Sequence, residues 1–111
     1  MNYEDRVTKS YLEGLIPRIV SGSYAGDGAE TRTISLGFTP KAVFVCNSMG
    51  VSYSSGYFQG GLAVTGHPVG DSSRAVLSVV AGGFAVCYAE NGAAHYHTNR
   101  VNSVYHYLAI G

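Results

Sequence analysis

Charge is what this sequence has least of. Fourteen of 111 residues are charged, seven of each sign, so the formal net charge is zero, and the charged share, 13%, is about half the roughly 25% of an ordinary soluble domain. The seven Lys and Arg are scattered from Arg6 to Arg100. No basic stripe exists to neutralise a row of phosphates, which argues against nucleic-acid binding. Nor is there an apolar run near the roughly 20 residues of a membrane span, so membrane insertion is not expected. Met1 to Lys9 is polar and lacks the apolar centre of a signal peptide, which predicts synthesis and folding in the cytoplasm. Tryptophan is absent and cysteine appears only twice. Cys46 and Cys87 each sit in an apolar run, Val43 to Cys46 and Phe84 to Cys87, as reduced buried thiols do.

What the chain does have is apolar and aromatic substance. Hydrophobic residues make up 46%, with nine Tyr and four Phe, enough for one core in one domain. So few charges cover a surface thinly. Either neutral polar groups solvate it, or part of it is buried against other subunits, and the composition favours both.

Two regions differ in texture. In residues 1–17, Asn2 can cap a helix, Glu4 and Asp5 suit its positive end, and Tyr3, Val7, Tyr11, Leu12 and Leu15 fall near helical spacing. Gly14 and Pro17 end it. This predicts a short α-helix for oligomerisation or anchoring. From residue 18 onward glycine rises, with fourteen of the fifteen at or after Gly22, and short β-rich runs alternate with turn signals. Strands are predicted near 18–24, 31–36, 42–47, 61–65, 75–80, 83–89 and 103–110. Ala25-Gly26-Asp27-Gly28 carries a hairpin signal, and Gly37 to Pro40, Ala81-Gly82-Gly83 and Asn91-Gly92 mark further turns. The expected fold is all-β: an antiparallel β-sandwich of about six to seven strands, residues 18–111, behind the N-terminal helix. Thr31 to Leu36 alternates cleanly, but 42–46, 75–80 and 103–110 are apolar on both faces. A sandwich buries one face of each sheet, so neighbouring subunits are the economical cover for the second.

Several motifs resemble a module of phage and prophage tail proteins. They are Ser21-Gly22-Ser23-Tyr24-Ala25-Gly26-Asp27-Gly28, then Arg32-Thr33-Ile34-Ser35-Leu36-Gly37-Phe38-Thr39-Pro40-Lys41-Ala42-Val43, Gly82-Gly83-Phe84-Ala85-Val86, Asn91-Gly92, and the closing Tyr105-His106-Tyr107-Leu108-Ala109-Ile110-Gly111. The resemblance covers roughly residues 20–111 and rests on turn and core residues. The order of elements also resembles the H-type lectin domain, a sandwich that assembles into trimers or hexamers and binds sugars at subunit boundaries. The shared cues are Phe38-Thr39-Pro40 before an apolar strand, Gly83-Phe84-Ala85-Val86, and a last strand ending Ala109-Ile110-Gly111. The sugar-contacting residues of that family are not matched one by one. These resemblances imply a homotrimer or hexamer, virion-associated, with other tail proteins and a host cell-surface glycan as partners. A free-standing lectin-like carbohydrate-binding protein is the alternative.

Residues able to do chemistry are sparse. Asp5, Asp27, Glu4 and Glu13 fall in the helical segment or beside glycine, leaving Asp71, Glu90 and Glu30 for paired-carboxylate work. Ser52, Ser54 and Ser55 lack the Gly-x-Ser-x-Gly elbow. No enzyme and no resident cofactor are expected. Val51 to Gly61 is rich in Tyr, Ser, Gly and Gln, offering flat stacking surfaces and neutral hydrogen-bonding groups, and the loop from Asn91 to Arg100 adds more. Tyr53, Tyr57, Gln59, Asn99 and Arg100 are therefore the candidates for glycan or partner binding, with packing at a subunit seam as the plainer alternative. His95-Tyr96-His97 sets two imidazoles on one face if the segment is extended. In a trimer three such pairs present six nitrogens around the axis, as in some phage fibre and spike proteins that hold iron. Two surface histidines in a polar loop, or hydrogen-bonding groups at a seam, are the alternatives. His106, inside an apolar strand, reads as a core or interface histidine.

Overall fold

The computed structural model describes residues 18–111, so the expected helix over 1–17 lies outside the described residues. Among the described residues there is no helix, and the fold is all-β. Eleven strands follow in order: β1 (Ile19–Ala25), β2 (Thr31–Ser35), β3 (Ala42–Asn47), β4 (Tyr53–Ser54), β5 (Tyr57–Phe58), β6 (Gly61–Val64), β7 (Val69–Gly70), β8 (Ala75–Val80), β9 (Gly83–Asn91), β10 (Ala94–His97) and β11 (Val104–Ile110). The seven expected strands correspond to β1, β2, β3, β6, β8, β9 and β11. The expectation of six to seven is corrected by four short additions, β4, β5, β7 and β10, which lie where loops were expected.

The strands form two sheets. The first is four-stranded, in the order β1-β11-β3-β6, and every pair in it is antiparallel. The second runs β4-β5-β10-β9-β8-β7, with β2 on β9. Long β9 holds it together: Gly83 to Cys87 pair with β2 and Asn91 to Tyr88 with β10. The β5–β10 pair is parallel, the single departure from antiparallel order among the described strands.

Turn chemistry explains the hairpins. Val80 pairs with Gly83 across Ala81-Gly82, and Gly82 takes φ 80°, the value a type II turn requires at that position. Ser55 (φ 46°) and Gly56 (φ 87°) close the β4–β5 hairpin with the paired positive angles of a type I′ turn. The Asp27-Gly28 signal works differently from expectation. It does not join a hairpin, because β1 pairs with β11 while β2 pairs with β9. The Asp27 carboxylate accepts a 2.9 Å hydrogen bond from Ala29 N–H, and the tight turn directs the chain from one sheet to the other.

One core joins the sheets. Val43, Val45, Ala63, Tyr105 and Ala109 enter from the first sheet and Val76, Leu77, Phe84 and Val86 from the second, all buried. Tyr24 stacks on its register partner Tyr105 (5.2 Å between centroids), and Phe84 meets Tyr107 at 5.2 Å. Burial pushes the Tyr24 phenol far above its ordinary range, and its hydroxyl donates to the Thr98 carbonyl at 2.7 Å. Phe38, in the turn before β3, packs partly buried against this core.

The outer face of the four-stranded sheet is also apolar. Register aligns Ser21, Leu108, Phe44 and Leu62 across four strands, and Ile19, Ile110, Ala42 and Val64 beside them. Phe44 is 40% exposed, Leu108 41%, Leu62 61% and Ile19 63%. The doubly apolar reading of β3 and β11 thus corresponds to a face left open among the described residues. Cys46 belongs to it: Cys87 is buried as expected, but Cys46 is half-buried and paired in register with His106. His106 is itself exposed rather than a core group.

Candidate functional site

At one end of the molecule, four segments converge: the end of β3, the link from β5 to β6, the end of β10, and the loop from β10 to β11. The loop after β3 is organised by Asn47, whose side-chain oxygen accepts hydrogen bonds from Met49 and Val51 N–H, both at 2.9 Å. Its amide nitrogen donates to Gln59 Oε1. Across from it, Ser103 N–H bonds to the Arg100 carbonyl at 3.2 Å, and Asn102 takes φ 64°, a left-handed angle that Asn tolerates. Tyr105 fixes the loop from below, its hydroxyl accepting from Arg100 N–H at 3.1 Å. Burial raises the Tyr105 phenol above its usual range, so it stays neutral. The result is an open pocket of about 360 Å³ lined by Asn47, Gln59, His97, Arg100, Asn102 and Tyr105, among others. Amides, a guanidinium, a phenol and an imidazole dominate that wall, a donor-and-acceptor set suited to a neutral, hydroxyl-rich ligand.

A second cluster adjoins it through His97. On the β5–β10–β9 surface, register places Tyr57, His95 and Glu90 in one cross-strand row. His97 follows two residues along β10, on the same face. His97 Nε2 meets Glu90 Oε1 at 2.6 Å, and His95 Nδ1 hydrogen-bonds Glu90 Oε2. The His97 imidazole, more than that of His95, holds the Glu90 carboxyl below its ordinary range. Tyr57 stacks on His95 at 4.2 Å with 13° between planes and meets His97 edge-on at 5.3 Å. His97 is 8% exposed.

Comparison with protein-family models, with curated proteins and with solved structures yields no match. The tail-module and lectin resemblances therefore rest on the motifs alone.

The structure divides the expected site residues into three groups. Gln59 and Arg100 line the pocket. Tyr53 and Tyr57 lie on the β4–β5 hairpin, Tyr53 exposed with its ring edge on Phe58, and Tyr57 reaches the pocket wall only by way of His97. Asn99 is corrected. It is fully buried, and its amide is saturated: Oδ1 accepts from Asp27 N–H (3.2 Å) and Arg32 Nη1 (3.1 Å), while Nδ2 donates to Asp27 Oδ1 (2.6 Å) and the Ala29 carbonyl (3.1 Å). Two donors and two acceptors are all an amide side chain has, so Asn99 latches the β1–β2 crossover to the end of β10 and has no capacity left for a ligand. His95 and His97 stand on a strand rather than in a loop, and an acid, Glu90, joins them. From the sequence Glu90 is one of three acids available for paired-carboxylate work, not joined to the histidines. The available signal is the Asn91-Gly92 turn, across which a hairpin brings Glu90 opposite His95.

Proposed function

We propose that this chain is a non-enzymatic β-sandwich module that associates with copies of itself, of the kind found in phage tails. The observation that carries this reading is the open apolar face of the four-stranded sheet. Returning the remaining exposed area of Ile19, Phe44, Leu62 and Leu108 to an apolar contact supplies roughly half of about 1.5–3 kcal/mol per side chain. Four such side chains give about 3–6 kcal/mol per protomer wherever a neighbouring copy covers them. The cost of association lies between about 4 and 15 kcal/mol. Covering this face with a neighbouring copy therefore offsets a large part of that cost, and the zero net charge of the chain adds no repulsion to oppose it.

The polar pocket supports the second half of the proposal, that the assembled module presents a receptor-binding surface to a cell-surface glycan. Gln59 and Arg100 supply hydrogen bonds there, and Tyr57 an aromatic neighbour. The same pocket serves the alternative, a free-standing lectin-like carbohydrate-binding protein. Static light scattering of the full chain at micromolar concentration tests the association. A trimer or a multiple of three is expected, reduced to monomer by Phe44→Ser combined with Leu108→Ser. A stable wild-type monomer, or an oligomer indifferent to that pair, overturns the reading. A glycan array with an Arg100→Ala control then tests the pocket.

A further inference from the structure

We infer that Glu90, His95 and His97 form a binding site for one divalent transition-metal ion, built within a single chain. The two imidazole nitrogens and a carboxylate oxygen lie within 4.8 Å of one another. A tetrahedral ion with metal–nitrogen bonds of about 2.0–2.1 Å sets its ligand atoms about 3.3 Å apart, so the cluster needs only a small closing movement. The most exposed member, the Glu90 side chain, is free to make it at 44% exposure.

The donors are held in place before any ion arrives. His97 is buried, and its ring is flanked by Tyr57 at 5.3 Å and Tyr88 at 5.1 Å. His95 is pinned by the Tyr57 ring stacked on it. Glu90 and His95 are direct register partners on β9 and β10, so paired backbone sets their separation. A site on paired strands loses little conformational freedom on binding. The row Tyr57–His95–Glu90 also presents an aromatic wall rather than a competing cation: the ion pairs of Arg32 and Arg74 are made with Asp27 and Glu30 elsewhere.

The donor set selects the class of ion. Two imidazoles and one carboxylate suit zinc and its first-row neighbours, whereas calcium and magnesium require six or more oxygen ligands or retained water. His95 coordinates through Nδ1 and His97 through Nε2, each ring keeping its proton on the opposite nitrogen. Three protein ligands leave a coordination position open. Because His97 also lines the neighbouring pocket, occupancy here fixes one wall of it. This differs from the six-nitrogen arrangement around a trimer axis: it needs no partner chain and uses an acid that arrangement lacks. It is independent of the association through the outer sheet face.

Calorimetric titration of the full chain with zinc chloride tests the site. One ion per chain is expected, with affinity reduced at least about tenfold by Glu90→Gln and by His95→Gln. Both positions are at least partly exposed, and thermal melts confirm that the variants fold. Long-range proton–nitrogen NMR of the imidazoles adds the atomic assignment: zinc shifts His95 Nδ1 and His97 Nε2, while His67 and His106 keep their resonances. Absence of saturable one-to-one binding overturns the inference. So does affinity unchanged in both folded variants, or a shift confined to His67 or His106. Zinc binding retained in the Phe44→Ser, Leu108→Ser chain is expected, and separates this site from the fate of the association reading.

Discussion

Replacing Asn99 by alanine tests the account of the latch directly. The substitution removes four hydrogen bonds at a position with no solvent exposure. Each buried polar group left without a partner costs about 1–3 kcal/mol, but the four partners are not equally stranded. Arg32 keeps a 2.7 Å bond to the Ala25 carbonyl, and Asp27 Oδ1 keeps Ala29 N–H. Both Asp27 and Ala29 are exposed, so water replaces part of what their backbone groups lose. Two unmet or poorly met groups, with the space left by the amide, give about 2–4 kcal/mol. In a domain of this size 1 kcal/mol moves the midpoint by about 4–8 °C, so the melting temperature falls by about 8–32 °C. Urea unfolding followed by far-ultraviolet circular dichroism supplies the free energy. Asn99→Asp is the informative companion, because it keeps an acceptor but loses both donors beside the Asp27 carboxylate; a comparable loss is expected. A change below about 0.5 kcal/mol in Asn99→Ala refutes the latch and returns Asn99 to the candidates for ligand contact.

Gly60→Ala is expected to prevent folding, since a Cβ there would stand 1.9 Å from the carbonyl oxygen of buried Val45 at φ 153°; Gly50→Ala, with φ 82° and open space around it, should cost only the left-handed backbone term of about 1–2 kcal/mol, and expression yields with melting curves distinguish the two. Asp27 is held below the ordinary carboxylate range by Ala29 N–H first, with the Asn99 amide and Arg32 adding to it. Its contribution to stability is therefore complete above its unfolded value, near about pH 4, and is lost as pH falls through its lower folded value. Urea midpoints measured from neutral pH down to strong acid should fall less steeply in Asp27→Asn, and parallel curves would rule the contribution out.

By itself, the sequence determined the all-β class and seven of the strands, because those runs carry enough Val, Ile, Leu and aromatic residues to declare themselves against glycine-rich turns. Ala81-Gly82 and Asn91-Gly92 were legible as reversals, since positive φ angles leave few residue types to choose from. The apolar second face of β3 and β11 was legible too, as residues with nothing among the described residues to cover them. Strands β4, β5, β7 and β10 were not. Two-residue strands have no periodicity to detect, and Ala94-His95-Tyr96-His97 is polar on one face because Glu90 and Tyr57, not solvent alone, receive it. Only the tertiary structure decided that Asp27-Gly28 turns the chain between sheets, since an Asp-Gly pair marks a reversal without fixing which strands pair on either side of it. It alone made Asn99 a buried latch, by bringing residue 99 to residue 27 across the whole length of the domain. It alone joined Glu90 to His95 and His97. Residue type states what a side chain is able to bond; which partner it meets is set by register and by which strands pair, and those depend on contacts far apart in the chain.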